Sequence, residues 1–226
     1  MQEKIINVFK NFRDTIYNFF SFRRDATFEL IDALSSNTSA NSIVELSLNP
    51  VHRRNYCSIT RALDEFYPLN ADKKEKNNAL TKILTAQCEP LQERQYHLLG
   101  VDCTPNPRVF SPTQEDRGAV YSPNAVFGNK PITIGHQYSI VAYLPEKSGD
   151  YPPPWVMPLA CHRVGTNEKG PLIGMQQISF CNQSHDAFKN KLCVSVADSA
   201  YSNPACLLEA FNTDFHSPVN RHNPRQ

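Results

Sequence analysis

His97-Leu98-Leu99-Gly100-Val101-Asp102-Cys103-Thr104 is an apolar run that ends on a carboxylate. Its counterpart near the far end of the chain is Leu192-Cys193-Val194-Ser195-Val196-Ala197-Asp198-Ser199. Each reads as a short buried strand whose last inward position is an aspartate. An unpaired carboxylate beside a core is costly, so two at equivalent strand ends point to a shared partner. A divalent cation is the natural one. The competing reading of Asp102, a turn residue satisfied by backbone N–H groups, does not account for the same setting occurring twice.

The 226 residues suffice for one sizeable core or two small ones. With 23 Lys and Arg against 22 Asp and Glu, the formal charge of +1 demands neither nucleic acid nor an anionic membrane. The seven cysteines are odd in number, lack any C-x-x-C pair and lie largely in apolar runs. That usage fits a reducing compartment, and the chain is expected to be cytoplasmic. Lys4, Lys10, Arg13 and Asp14 interrupt the first apolar segment, and nothing approaches the ~20 apolar residues of a membrane span.

Residues 1–90 read as helical. Ile5, Phe9, Phe12, Ile16 and Phe19 recur at helical spacing, predicting an amphipathic helix packed on its own domain, with a dimer-facing helix as the alternative. Asp25 is the expected N-cap of a helix over 26–34, and Ser42 with Glu45 fits a capping box after the polar run 35–42. Further helices carry Ile59, Ala62, Leu63 and Phe66, then Leu80, Ile83 and Leu84 within 72–87. The doublets Arg23/Arg24 and Arg53/Arg54 are either solvated surface or phosphate contacts.

From Tyr96 the pattern turns to strands. After Asp102 a long irregular segment is expected over 104–130, then a strand over 132–144 and another over 155–164, with Pro158 marking an edge or bulge. A short helix falls within 176–191, and a helix begins after Asp198. Residues 212–226 carry almost no apolar pattern and read as a disordered tail. Cys161, His162, Cys181 and His185 match no compact zinc spacing, and Ser199 and Ser202 lack a G-x-S-x-G elbow.

Three blocks sharpen the reading: VDCTPNPR at 101–108, GNKPITIGHQYS at 128–139 and VADSAYS at 196–202. In this order they resemble DDE transposases of bacterial insertion sequences, over roughly residues 25–211. The resemblance implies an α+β chain, with a helical amino-terminal region ahead of a mixed RNase H-like sheet at 95–211. It implies cutting and joining of DNA at transposon ends, with two divalent ions, Mg²⁺ or Mn²⁺, held by three acids. Asp102 and Asp198 match the first two and are the expected catalytic and metal-binding residues. Arg108, Lys130, His136, Gln137 and Arg163 lie where they could touch DNA, and a homodimer is a possible assembly.

The family's third acid, a glutamate well beyond the second aspartate, has no matching position. Glu209 and Asp214 are the only acids after Asp198, and Glu209 falls in the wrong element. The chain is therefore expected to resemble a transposase cut short, with an incomplete sheet and no transposition activity. Two alternatives are a non-catalytic protein that binds DNA or a transposase, resting on the arginine doublets, and a compact nuclease using Glu209.

Overall fold

The computed structural model describes residues 2–67, 73–122, 131–146, 155–189, 191–212 and 219–220. The chain divides into two units, Met1–Lys76 and Asn77–Gln226. The division lies inside a helix rather than near residue 90.

The first unit holds α1 (Gln2–Phe19), α2 (Arg24–Ser35), α3 (Ile43–Leu46) and α4 (Tyr56–Phe66), and α5 (Lys73–Thr85) begins in it. Leu30, Ala33, Leu46 and Ile59 form its core. Ser42 is the expected cap: Glu45 N donates to Ser42 Oγ at 3.1 Å, while the Glu45 carboxylate accepts from Asn41 N, one residue before the cap, at 2.6 Å. Asp25 is not a cap, because α2 starts two residues earlier than expected and Arg23 takes the cap position at φ 43°. Asp25 instead accepts from the Tyr17 hydroxyl at 2.7 Å. In α1 the apolar stripe is covered only toward its end, where Ile16 is buried. Ile5 and Phe9 remain 62% and 58% exposed, so own-domain packing fails for the first turns.

The arginine doublets are spoken for inside this unit. Arg23 pairs with Glu65 at 2.5 Å, and Arg24 Nε donates to the Phe20 carbonyl at 2.6 Å. Arg53 and Arg54 reach Glu29 at 2.9 and 3.4 Å, and Arg54 reaches Asp25 at 3.6 Å. Arg53 keeps 79% of its side chain exposed, so these pairings do not decide the binding-protein alternative. Burial of Glu29 works to raise its pKa, but the Arg53 hydrogen bonds and the Arg54 charge outweigh that and hold it below the usual value. A lowered folded pKa contributes stability above the unfolded value, which is lost as pH falls through the folded one. Glu29→Gln is expected to cost about 1–3 kcal/mol at neutral pH and to flatten the acid limb of urea unfolding below about pH 5. An unchanged acid limb in the variant would count against that role.

The second unit is built on a sheet of β1 (Tyr96–Pro107), β2 (Gly118–Tyr121), β3 (Ile132–Leu144), β4 (Met157–Val164), β5 (Leu192–Ala197) and β6 (Val219–Asn220). β1 is central, antiparallel to β3 and parallel to β5. β2 and β4 share the far edge of β3, and β6 lies parallel beyond β5. This order and these directions make an RNase H-like mixed sheet. β6 sits in the segment read as a structureless tail and occupies a strand position the sequence reading held to be missing. The rest of that segment beyond Asn212 lies outside the described residues.

Helices α6 (Gly170–Ser184), α7 (Asp186–Lys189) and α8 (Pro204–Asn212), with a 3-10 turn at Ser199–Ser202, complete the unit. Leu99, Val101, Val141, Tyr143, Leu159, Met175, Ile178 and Cys181 form the core between α6 and one face of the sheet. In α5 the buried positions are Thr81 and Thr85, whereas Leu80, Ile83 and Leu84 are half-buried. Pro158 lies on an edge strand as expected, next to a register shift at Val141/Ala142.

β1 runs five residues past Asp102, where an irregular segment was expected. Its β5 pairing ends at Gly100, so beyond that point one edge of β1 is open. Arg108 N donates to the Ile134 carbonyl at 2.9 Å, so even-numbered N–H groups of this stretch point toward β3. Pro105 and Pro107 fall on the other edge, where no donor is needed.

Candidate metal centre

Parity along β1 decides which residues face which way. His97, Leu99 and Val101 are buried against the helical side, and successive strand residues alternate faces. Asp102 therefore points to the opposite face and is exposed. In β5 the buried residues are Cys193, Ser195 and Ala197, and Asp198 is likewise out of phase and exposed. This corrects the sequence reading, which put both aspartates at inward positions.

The two acids lie on the same sheet face, just past the last shared register of β1 and β5. Gly100 pairs with Val196, and two residues further along each parallel strand come Asp102 and Asp198. Paired strands are ~4.8 Å apart, and Gly100 with Val196 is the last position at which β1 and β5 keep that spacing. Each carboxylate is oriented by its own backbone. The Cys103 N–H, which points to the open edge of β1, donates to Asp102 Oδ1 at 2.8 Å. The Ala200 N–H donates to Asp198 Oδ1 at 3.0 Å, making Asp198 the cap of the 3-10 turn. The second oxygen of each carries no hydrogen bond among the described residues. Two hard oxygen donors, oriented and open to solvent, fit a hard divalent cation.

Tyr201 lies behind the pair, 2% exposed. Burial pushes its phenol upward, and the Cys103 contact and the nearby Asp102 and Asp198 charges add to the shift. Sequence reasoning missed Tyr201 and Cys103 as members of this cluster. The signal was an aromatic residue three positions after the second aspartate, where a turn ordinarily carries polar residues. No group of three acids, histidines or cysteines that could hold a metal occurs among the described residues. Glu209 thus does not join the aspartates, and the zinc reading of Cys161, His162, Cys181 and His185 is likewise unsupported.

The residues expected to touch DNA separate. Arg163 is exposed and pairs across β3 with Tyr138, which in turn pairs with Thr104, so it shares the aspartate face. It also meets Asp116 at 3.4 Å. Arg108 is exposed, just past the end of β1. His136 is 2% exposed, with Nε2 3.0 Å from the Glu115 carbonyl, and its burial removes it from a solvent-borne phosphate. Gln137 alternates to the helical face beside the start of α6 and cannot share a surface with Asp102. Lys130 lies outside the described residues.

A family described as DDE superfamily endonuclease matches residues 15–223. The chain belongs to the DDE superfamily of endonucleases. No curated protein matches it. Membership of this superfamily gives the aligned aspartates a chemical context, since DDE endonucleases act on DNA and generally use divalent metals. No described helix is long and apolar enough to cross a membrane.

Proposed function

We propose that this DDE endonuclease is a transposase, cutting DNA at the ends of an insertion sequence and joining the cut strand, with Asp102 and Asp198 as its catalytic carboxylates. Activity is proposed in place of the expected inactive form because β6 fills the strand position held to be missing, while the third acid is not among the described residues. The observation that carries the reading is the alignment of these two acids on one sheet face, each with one oxygen held and one open. They would hold Mg²⁺ or Mn²⁺, which when bound supplies a Lewis acid for phosphodiester chemistry. The strands keep both ligands rigid, and the backbone N–H groups fix which oxygen faces outward. Arg163 and Arg108 both lie from Asp102 toward the end of β1, where they offer guanidinium groups to DNA phosphates on one side of the break. Arg108 lies six residues from Asp102, about 20 Å along the strand.

The test is the full chain with supercoiled plasmid and Mg²⁺ or Mn²⁺. Nicking followed by strand joining supports the proposal, nicking without joining overturns the transfer step, and no nicking above a chelator control overturns both. Arg163→Ala is expected to weaken DNA binding and to reduce the salt slope by about one. An unaltered slope measured by fluorescence anisotropy would remove Arg163 from the interface.

The same reading includes a homodimer formed through α1. Ile5, Ile6, Val8 and Phe9 are all more than half exposed and make one broad apolar face. Glu3, Lys4, Lys10 and Asp14 on the other side cancel in charge, which disfavours an anionic membrane as the occupant. Antiparallel pairing about a two-fold axis sets Ile5 of one copy against Phe9 of the other. Light scattering should find a dimer in the parent and a monomer in an Ile5→Asp, Phe9→Asp double variant; a monomeric parent or a dimeric variant overturns the assignment.

A further inference from the structure

We infer that Tyr201 is a positioning residue that sets the spacing between Asp102 and Asp198, acting through Cys103. This rests on the metal-binding reading of the two aspartates given above, and adds what holds them at a fixed separation.

Asp102 stays within β1 and Asp198 follows the end of β5, both past the point where β1 and β5 stop pairing. The last shared register is Gly100 with Val196, so the ladder does not fix the distance between the acids. A separate connection does. Tyr201 N donates to the Asp198 carbonyl at 3.2 Å, tying the tyrosine to the second acid through one turn. Its hydroxyl lies 3.5 Å from Cys103 Sγ. The N–H of Cys103 in turn holds Asp102 Oδ1 at 2.8 Å. A continuous path of named contacts therefore joins one carboxylate to the other through the Tyr201 ring.

The floor of this path is shaped to hold the ring still. A Cβ on Gly174 of α6 would lie 2.8 Å from both Tyr201 Cε1 and Val101 Cγ2. A Cβ on Gly170 would lie 2.6 Å from Cys103 Sγ. The two glycines stand four apart on one helix face, one under the cysteine and one under the tyrosine. Without side chains there, α6 presses both groups against the end of β1. The ring has no room to swing, so the 3-10 turn carrying Asp198 stays at a fixed offset from β1.

Mn²⁺ titration by electron paramagnetic resonance on the full chain tests this without relying on cleavage. Asp102→Asn and Asp198→Asn report on the ligands, Tyr201→Leu and Tyr201→Phe on the strut, and Leu99→Ala on stability alone. Each is measured below its melting temperature. The expected result is loss of binding in both aspartate variants and at least a tenfold weaker affinity in Tyr201→Leu. Tyr201→Phe, which removes the hydroxyl that meets Cys103 Sγ, should weaken binding at least threefold, and parental affinity in it overturns the path through Cys103. Leu99→Ala should stay within threefold of the parent. Lost binding in the aspartate variants with parental affinity in Tyr201→Leu overturns the strut and leaves the metal site standing. Parental affinity in the aspartate variants overturns the metal site and the strut with it. Equal weakening in Leu99→Ala and Tyr201→Leu also overturns the strut, because general loosening would then explain the effect.

Discussion

Asp102→Asn is expected to reduce divalent-ion-dependent DNA nicking at least about a hundredfold, since even outer-shell changes at metal sites cost 10–100-fold. Folding stability should change by no more than about 0.5 kcal/mol, because the side chain is exposed and its one hydrogen bond among the described residues is from its neighbour's N–H. Asparagine keeps the oxygen that accepts from Cys103 N and removes the charge that a cation needs. The substitution thus isolates ligand chemistry from backbone support. Asp198→Asn should behave alike, since asparagine also caps the turn that Asp198 opens. Plasmid nicking in Mn²⁺ and urea unfolding of the same preparations make the comparison. Nicking retained at a tenth of the parental rate or more would remove Asp102 from the chemistry.

How far the sequence carried the fold can be argued along β1 itself. The runs before Asp102 and Asp198 each announced a strand, but that the two are parallel neighbours is seen only in their register. The facing of the aspartates was not legible. A central strand is apolar on both sides, so Leu98-Leu99-Gly100-Val101 shows no clean alternation. Its phase is set by α6, whose Met175 and Ile178 cover the side that Leu99 and Val101 share. The start of α6 was itself obscured, because Gly170-Pro171 has the look of a turn. Proline is well placed in a first helical turn, and the glycine serves close approach rather than bending. Pro105 and Pro107 misled in the same way, as they end strands only where a donor is required.

The site was legible in its acids and less so in its cations. Strand parity already forbade His136 and Gln137 from facing one DNA surface together, since adjacent residues point to opposite faces. The arginine doublets are different. Glu29 lies twenty-four residues before Arg53, and nothing local announces that pairing. Only the packing of α2 against the segment before α4 brings them into contact.

Leu99→Ala is expected to give the largest loss of stability, about 2–5 kcal/mol, with Mn²⁺ affinity of the folded chain unchanged. Leu99 is completely buried and sits in the core with Val141, Met175 and Ile178. Its neighbours belong to a sheet and a helix already fixed by other contacts, so the vacated volume cannot close by collapse. Against a typical total of about 5–15 kcal/mol, that loss is a large fraction. The urea midpoint should fall with the slope preserved, which marks a change in stability rather than in compactness. A cost below about 1 kcal/mol would mean that α6 does not pack on this face as described. Leu99 and Asp102 are three residues apart on one strand and face opposite ways. If one variant costs stability and spares the metal while the other does the reverse, the core side of β1 carries the fold and the open side carries the chemistry.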